Sequence, residues 1–113
     1  MIDYTLIRHL AGEVTIPENG ILSRTVYADD ELKAVIFGFD VGQELSEHTA
    51  AVPAVIHVLE GEADITLGGV RHDAGPGTWI HMAAGLSHAL VARTPVVMLL
   101  LLLRQPEHGQ ESE

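Results

Sequence analysis

Residues 42–61 read Gly-Gln-Glu-Leu-Ser-Glu-His-Thr-Ala-Ala-Val-Pro-Ala-Val-Ile-His-Val-Leu-Glu-Gly, and they decide the fold of this 113-residue chain. A second stretch, residues 77–88, reads Gly-Thr-Trp-Ile-His-Met-Ala-Ala-Gly-Leu-Ser-His. Both stretches combine short apolar runs with histidines and begin on a glycine. Such runs, interrupted by glycine and proline, are typical of strands joined by tight turns.

The sequence on either side continues the same pattern of strands and turns. Residues 62–67 alternate between polar and apolar side chains, which is the period of a half-buried strand. The Gly68-Gly69 pair that follows suits a two-residue hairpin, because both central residues of such a turn need positive φ. Further strands are predicted at residues 23–27, 32–39, 55–59, 70–72, 78–82, 88–92 and 96–103. No segment has a sustained helical period, so the sequence predicts an all-β sandwich or barrel.

Length and charge restrict the classes of function. A chain of 113 residues supports one hydrophobic core, and the absence of cysteine excludes disulfides and thiolate metal sites. Sixteen acidic against six basic residues give a formal net charge of -10, which repels nucleic acid and anionic membranes. The N-terminus shows no signal-peptide pattern, and the apolar run at residues 96–103 is too short for a membrane helix. We therefore expect a cytoplasmic protein that does not bind nucleic acid or membranes.

The glycine and histidine spacing of the two stretches resembles the paired motifs of the cupin family. The positions that match the family pattern are Gly42, His48, Gly61, Gly77, Gly85 and His88. Alanine replaces four other pattern residues: Ala50 stands for a histidine, Ala54 for a glutamate, Ala83 for a proline and Ala92 for an asparagine. The resemblance is to small single-domain conserved barrels, with a degenerate metal motif.

The resemblance implies a double-stranded β-helix, that is, an RmlC-like jelly-roll barrel with a ligand pocket inside. Within this one domain we expect N-terminal strands at residues 1–31 that complete the barrel, the cupin-like barrel at 32–104 and a disordered acidic tail at 105–113. The resemblance also implies a homodimer. Cupins include oxygenases, isomerases and non-enzymatic binding domains, so membership leaves open whether this chain is an enzyme.

His48 and His88 are the candidate metal ligands by position in the family pattern. In metal-bearing cupins three histidines and a glutamate hold Fe, Mn, Ni, Cu or Zn, and imidazole with carboxylate suits these divalent ions. Two imidazoles fall below the three protein ligands that a catalytic metal usually needs. Since Ala50 and Ala54 cannot coordinate, the standard site cannot form.

His57 and His81 are the candidates for a non-standard third ligand. His57 follows position 54 by an odd offset, so in a regular strand it faces away from the place of the missing glutamate. A bulge near Pro53 would change that direction. The strands that carry His57 and His81 are expected to be neighbours, so the two rings form a cross-strand pair with a role in metal binding, pH sensing or packing.

Two hypotheses for function follow. The first is a binding barrel for a small organic ligand, with a mostly apolar pocket lined by His48 and His88; its other predicted lining residues are Ala50, Ala54, Ile56 and Val58. The alternative is a metal-dependent dioxygenase or isomerase that uses His48, His88 and a non-standard third ligand. The unbroken apolar run at residues 96–103 predicts cover on both faces of its strand, which favours a dimer.

Overall fold

A computed structural model describes residues 3–104, and most of this range forms β-strands. One short 3₁₀ helix, Leu10–Glu13, precedes them and was not predicted. The strands are β1 (Ile21–Ala28), β2 (Leu32–Phe39), β3 (Glu44–His48), β4 (Ala54–Glu60), β5 (Ala63–Leu67), β6 (Val70–Ala74), β7 (Trp79–Met82), β8 (His88–Ala92) and β9 (Val96–Leu103). The all-β prediction is confirmed, whereas the tail predicted at residues 105–113 lies outside the described residues.

The strands form two sheets of the jelly-roll type. The larger sheet has the order β1-β2-β9-β4-β7, and the smaller has the order β3-β8-β5-β6. Every pairing between neighbours is antiparallel. Strands that are close in sequence therefore often lie in different sheets, and the two stretches quoted at the outset each contribute to both layers.

The main core lies between the sheets and is built mostly from aliphatic and thioether side chains, and its largest fully buried side chain is the aromatic ring of Phe39. Strand β5 shows how alternation fills this core. Ala63 and Ile65 are buried and Leu67 packs against the same cluster, whereas Asp64 on the other face bonds arginine side chains. The predicted division of this strand into two faces is confirmed.

The hairpin between β5 and β6 turns at the predicted glycine pair. Gly68 and Gly69 have φ values of 56° and 86°, as a two-residue turn with two left-handed residues requires. Leu67 pairs with Val70 directly across the turn. The return strand reaches Ala74, two residues beyond the predicted end.

Strand β9 is apolar throughout because it contributes to two clusters. Met98 belongs to the main core, while Val97 is buried in a second cluster on the outer face of the larger sheet. Val14 and neighbouring residues of the N-terminal segment complete this second cluster. The chain therefore covers part of its own outer face, a role that the sequence analysis assigned to a second copy.

The outer faces of the two sheets differ in character. On the smaller sheet, Asp64 accepts an ion pair from Arg71 at 3.1 Å and another from Arg93 at 3.1 Å. Such exposed pairs contribute little stability, but they keep this face hydrophilic. The larger sheet presents mostly apolar side chains from β2, β4 and β9 instead. None of the helices formed within residues 3–104 has the length and hydropathy to cross a membrane.

Candidate functional site

His48 and His88 lie opposite each other on neighbouring strands of the smaller sheet. The register pairs the last residue of β3 with the first residue of β8. The centroids of the two imidazole rings are 4.2 Å apart, and the ring planes meet at 57°. His88 is buried at 8% exposure, whereas His48 is exposed. One ring therefore lies inside the barrel and the other at its opening.

A bulge in β3 directs Leu45 and His48 to the same side. Leu45 pairs with Leu90 and His48 pairs with His88, so the β3 segment has one residue more than the β8 segment opposite it. Both Leu45 and His48 line the interior. Regular alternation would instead place Ser46 on the face of His48. The physical reason is the extra residue, which shifts the alternation by one position.

A side-chain hydrogen bond outside the pocket joins the two strands at this bulge. The hydroxyl of Ser87 donates to a carboxylate oxygen of Glu47 at 2.5 Å. The bond links the bulged strand to the residue that immediately precedes His88. It helps to hold the two imidazole-bearing segments in one register. Glu47 itself does not line the cavity between the sheets.

Each imidazole is held by a backbone carbonyl two residues earlier in its own strand or turn. The Nδ1 of His48 lies 2.7 Å from the carbonyl oxygen of Ser46, and the Nδ1 of His88 lies 3.0 Å from that of Leu86. A carbonyl oxygen only accepts, so each Nδ1 must carry the hydrogen. In the neutral imidazole the other nitrogen, Nε2, then keeps a free lone pair.

The two rings line a cavity of about 130 Å³ between the sheets. Its remaining wall consists of hydrocarbon and thioether side chains: Phe37, Leu45, Ile56, Ala89, Leu90, Met98 and Leu100. At roughly 15–30 Å³ for each water-sized group, the cavity holds about 4 to 9 of them. This is small for a ligand pocket, but its combination of apolar walls and a few polar groups is typical of one.

The structure distributes the predicted pocket residues differently from the prediction. Ile56 lines the cavity. Ala54 and Val58 lie in the packed core and do not line it, and Ala50 lies in the loop after β3, where its carbonyl accepts a bond from the Gly85 amide. The sequence analysis missed the contributions of β2 and β9, which come from strands distant in sequence. Alternation along β9 directs Met98 and Leu100 inward, but this direction can be assigned only when the neighbouring strands of β9 are known.

His57 and His81 lie on the outer face of the larger sheet, away from the cavity. His57 pairs with Trp79 across β4 and β7, and His81 pairs with Val55. The two histidines are therefore diagonal neighbours on one face, not a directly opposed pair. Ile56, the residue between Val55 and His57, lies in the cavity wall, so alternation directs both histidines outward.

The donor set around the cavity does not fit a standard catalytic metal. Within residues 3–104 no group of three or more His, Cys, Asp or Glu side chains is placed to hold a metal ion. His48 and His88 supply two nitrogen donors, and His57 cannot join them from the outer face. Three protein ligands are the usual minimum for a catalytic divalent ion. Because alanine stands at positions 50 and 54, the site has fewer donor side chains than the family pattern requires.

A larger concavity, a groove of about 550 Å³, lies elsewhere on the protein. It runs between the N-terminal segment and the outer face of β1, β2 and β9. Its lining includes Tyr4, Leu10, Val26 and Leu99 but no histidine. We assign the candidate ligand site to the smaller cavity, since two polar side chains from different strands meet there in an otherwise apolar, enclosed space.

Two antiparallel sheets of jelly-roll topology, with paired histidines at the mouth of the interior, define the double-stranded β-helix class. The family model "Cupin domain" matches residues 35–102, which is more than half of the chain. The chain belongs to the cupin family. No protein of curated function matches the sequence.

Solved structures agree with this assignment. A conserved protein of unknown function from Streptococcus pyogenes is 33% identical over 92% of this chain and 91% of its own, with a TM-score of 0.80. A cupin superfamily protein from Desulfitobacterium hafniense is 25% identical over 92% of this chain and 95% of its own, with a TM-score of 0.82. The protein KdgF from a Halomonas species is 26% identical over 76% and 82%, with a TM-score of 0.68. These likenesses support the fold and assign no reaction.

Proposed function

We propose that this cupin is a binding barrel for a small organic ligand, which enters between the sheets and contacts His48 and His88. The observation that carries the proposal is the meeting of these two imidazoles at a cavity whose other walls are apolar. Apolar walls supply affinity through burial, and the two ring nitrogens supply orientation. The proposal needs no metal and no nucleophile.

The direction of each imidazole supports this role. Because both Nδ1 atoms bond backbone carbonyls, the rings cannot turn freely, and each offers its Nε2 atom in a fixed orientation. Preorganised polar groups reduce the entropy that a ligand must lose on binding. A pair of histidines that merely filled space would not require both rings to be anchored in this way.

A ligand screen by amide chemical-shift changes tests the proposal. Small organic compounds are titrated into protein labelled with ¹⁵N, and shifts are followed at Leu45, Ala89 and Leu100, which line the cavity. We expect saturable shifts confined to the cavity wall, with affinity lost in His88→Ala. The matched control is His57→Ala, which removes an imidazole from the outer face and should leave binding unchanged. Equal loss in both variants, or shifts spread over the surface, would contradict the proposal.

A metal-dependent oxygenase or isomerase is the alternative, and its support is the pair of free Nε2 atoms. His57 and His81 cannot complete the shell from the outer face, and among the described residues no carboxylate lines the cavity. A metal held by two imidazoles alone would be weakly bound. We therefore propose ligand binding as the principal function and treat metal binding as an outcome to be measured.

We also propose that two copies associate through the groove beside the N-terminal segment. This segment exposes Tyr4 at 79% and Leu6 at 60%, beside a groove in which Asp3 is the single charged residue among the lining residues that the structure describes. A chain with a net charge of -10 repels its copies except where carboxylates are few. Because the protruding side chains and the groove lie on the same surface, a two-fold axis would place each segment in the groove of the partner.

A further inference from the structure

We propose that the ligand of the His48–His88 pocket is a small primary amine, whose nitrogen donates a hydrogen bond to both rings. This inference rests on the proposed binding function and adds the chemical class of the ligand. It follows from the hydrogen-bond donors and acceptors of the side chains that line the pocket.

Both rings present acceptors to the pocket. Ser46 and Leu86 accept from Nδ1 of the two rings, so each Nε2 carries a lone pair. Within residues 3–104 no fully buried side-chain nitrogen or oxygen lacks a partner. The Nε2 of His88 has no partner in that range, although the residue is only 8% exposed. Its Nε2 atom therefore retains accessible surface, and the ring that carries it lines the cavity.

Within residues 3–104, no other side chain that lines the pocket can donate a hydrogen bond. The remaining lining residues carry hydrocarbon groups, apart from the thioether of Met98, which is at most a weak acceptor. A carboxylate, phosphate or ketone would therefore place acceptor against acceptor. A ligand that donates meets no such conflict.

The short distance between the rings favours a group that donates twice. Two hydrogen bonds of about 3 Å each allow one nitrogen to bridge acceptors up to about 6 Å apart. The ring centroids are 4.2 Å apart, so one nitrogen placed between the rings is within reach of both. A hydroxyl has one hydrogen and satisfies one ring, whereas an amino or ammonium group has two or three. The pair of acceptors therefore selects an amine over an alcohol of the same shape.

The charge and exposure of the site agree with a cationic ligand. A net charge of -10 raises the local concentration of cations around the protein. His48 is exposed at the mouth, so a third ammonium hydrogen can remain in contact with water. The apolar body of the amine would then occupy the inner part of the cavity. With room for about 4 to 9 water-sized groups, this body is a short branched alkyl chain.

Three isosteric probes test the chemical class: isobutylamine, isobutanol and isobutyrate, titrated at neutral pH with EDTA present. We expect isobutylamine to shift the amides of the cavity wall and to bind at least tenfold more tightly than isobutanol. We expect isobutyrate to bind weakest. Isobutylamine should bind at least tenfold more weakly to His48→Ala and to His88→Ala, while His57→Ala keeps wild-type affinity.

The outcomes separate the ligand class from the binding function. Tighter binding of isobutanol or isobutyrate, with loss in His88→Ala, would overturn the amine class and leave ligand binding in place. No shift at the cavity wall with any probe, up to its solubility limit, would overturn both proposals. Long-range ¹H–¹⁵N spectra of the wild-type imidazoles give a readout that does not depend on the folding of variants. We expect protonated Nδ1 and unprotonated Nε2 in both rings, and the opposite tautomer would overturn the amine class.

Discussion

Gly61 approaches Pro95 so closely that a Cβ atom added to Gly61 would lie 2.0 Å from the Pro95 carbonyl oxygen. The glycine also has a φ of 90°, which L-residues rarely adopt. It ends the Val-Leu-Glu-Gly segment and lets β4 turn into β5 against the loop before β9. This contact with the Pro95 backbone therefore requires glycine at position 61, which is one of the glycines of the family motif.

The substitution Gly61→Ala should destabilise the fold by about 3 kcal/mol or more. Left-handed strain costs roughly 1–2 kcal/mol, and overlap with a backbone carbonyl cannot be relieved by a side-chain rotation. Urea unfolding measures the loss. The control is Gly69→Ala, which has a φ of 86° but no heavy atom within 4 Å of the added Cβ. The control should lose only about 1 kcal/mol; equal losses would mean that strain alone matters at Gly61.

Asp29 should make the stability of the fold sensitive to acid. The pKa of its carboxyl is lowered, first because the Tyr27 hydroxyl donates a hydrogen bond to it and then because the amides of Glu31 and Leu32 do so. A carboxyl whose pKa is lowered by folding stabilises the fold above its unfolded pKa of about 3.9, and this contribution disappears as the pH falls through the folded pKa.

Replacing the carboxyl should therefore flatten the acid limb of the stability curve. We expect Asp29→Ala to be less stable than wild type at pH 7 and closer to it at pH 3, as measured by thermal unfolding. Asp30→Ala is the matched control, because no side-chain hydrogen bond to that carboxyl is found within residues 3–104. If the difference in stability between Asp29→Ala and the wild type is the same at pH 7 and at pH 3, this role for Asp29 is contradicted.

The proposed self-association should depend on the exposed apolar side chains of the N-terminal segment. Light scattering coupled to size-exclusion chromatography should give a dimer for the wild type and a shift toward monomer for Tyr4→Ser combined with Leu6→Ser. The control is Val41→Ser combined with Val70→Ser, which removes side chains of 55% and 58% exposure elsewhere on the surface. A wild-type monomer at micromolar concentration, or equal effects of both pairs, would contradict the proposed interface.

Restoring the two truncated ligand positions should create metal affinity. In wild-type protein without a tag, we expect no stoichiometric Ni²⁺ or Zn²⁺ by calorimetry, because two imidazoles are too few donors. The double variant Ala50→His, Ala54→Glu should bind at least tenfold more tightly, with the gain lost on adding His88→Ala. Tight binding by the wild type would favour the enzyme hypothesis. No gain in the double variant would mean that side chains at positions 50 and 54, which do not line the cavity as alanines, cannot reach it even as histidine and glutamate.

Local patterns predicted much of the fold. The limits of β8 and β9 follow from apolar runs bounded by glycine and proline, and the Gly68-Gly69 turn follows from the positive φ that both residues adopt. These features are determined by neighbouring residues, so the sequence contains the whole signal. The pairing of His48 with His88 was predicted only through the resemblance to a family, because no local rule joins residues forty positions apart.

The features that sequence reasoning missed depend on contacts between distant segments or on departures from regular geometry. The bulge in β3 placed Leu45 in the cavity wall, and no glycine or proline within the strand indicated it. Part of the outer face of β9 is covered by Val14 and its neighbours, whereas apolar patterning favoured cover by a second copy. His57 and His81 were expected on adjacent strands. Their diagonal offset depends on the register between β4 and β7, which the sequence does not give.

The additional residue in β3 also has an evolutionary consequence. Ser46 and Glu47 occupy the part of the strand that is released from strict alternation, while Leu45 and His48 remain in the wall of the interior. Mutations at Ser46 can therefore accumulate on the exterior while the lining of the interior stays constant, whereas Glu47 is constrained by its hydrogen bond to Ser87. Conversely, a change at Leu45 alone alters the wall of the interior. Descendants of this barrel could therefore acquire new specificities while their outer surface stays the same.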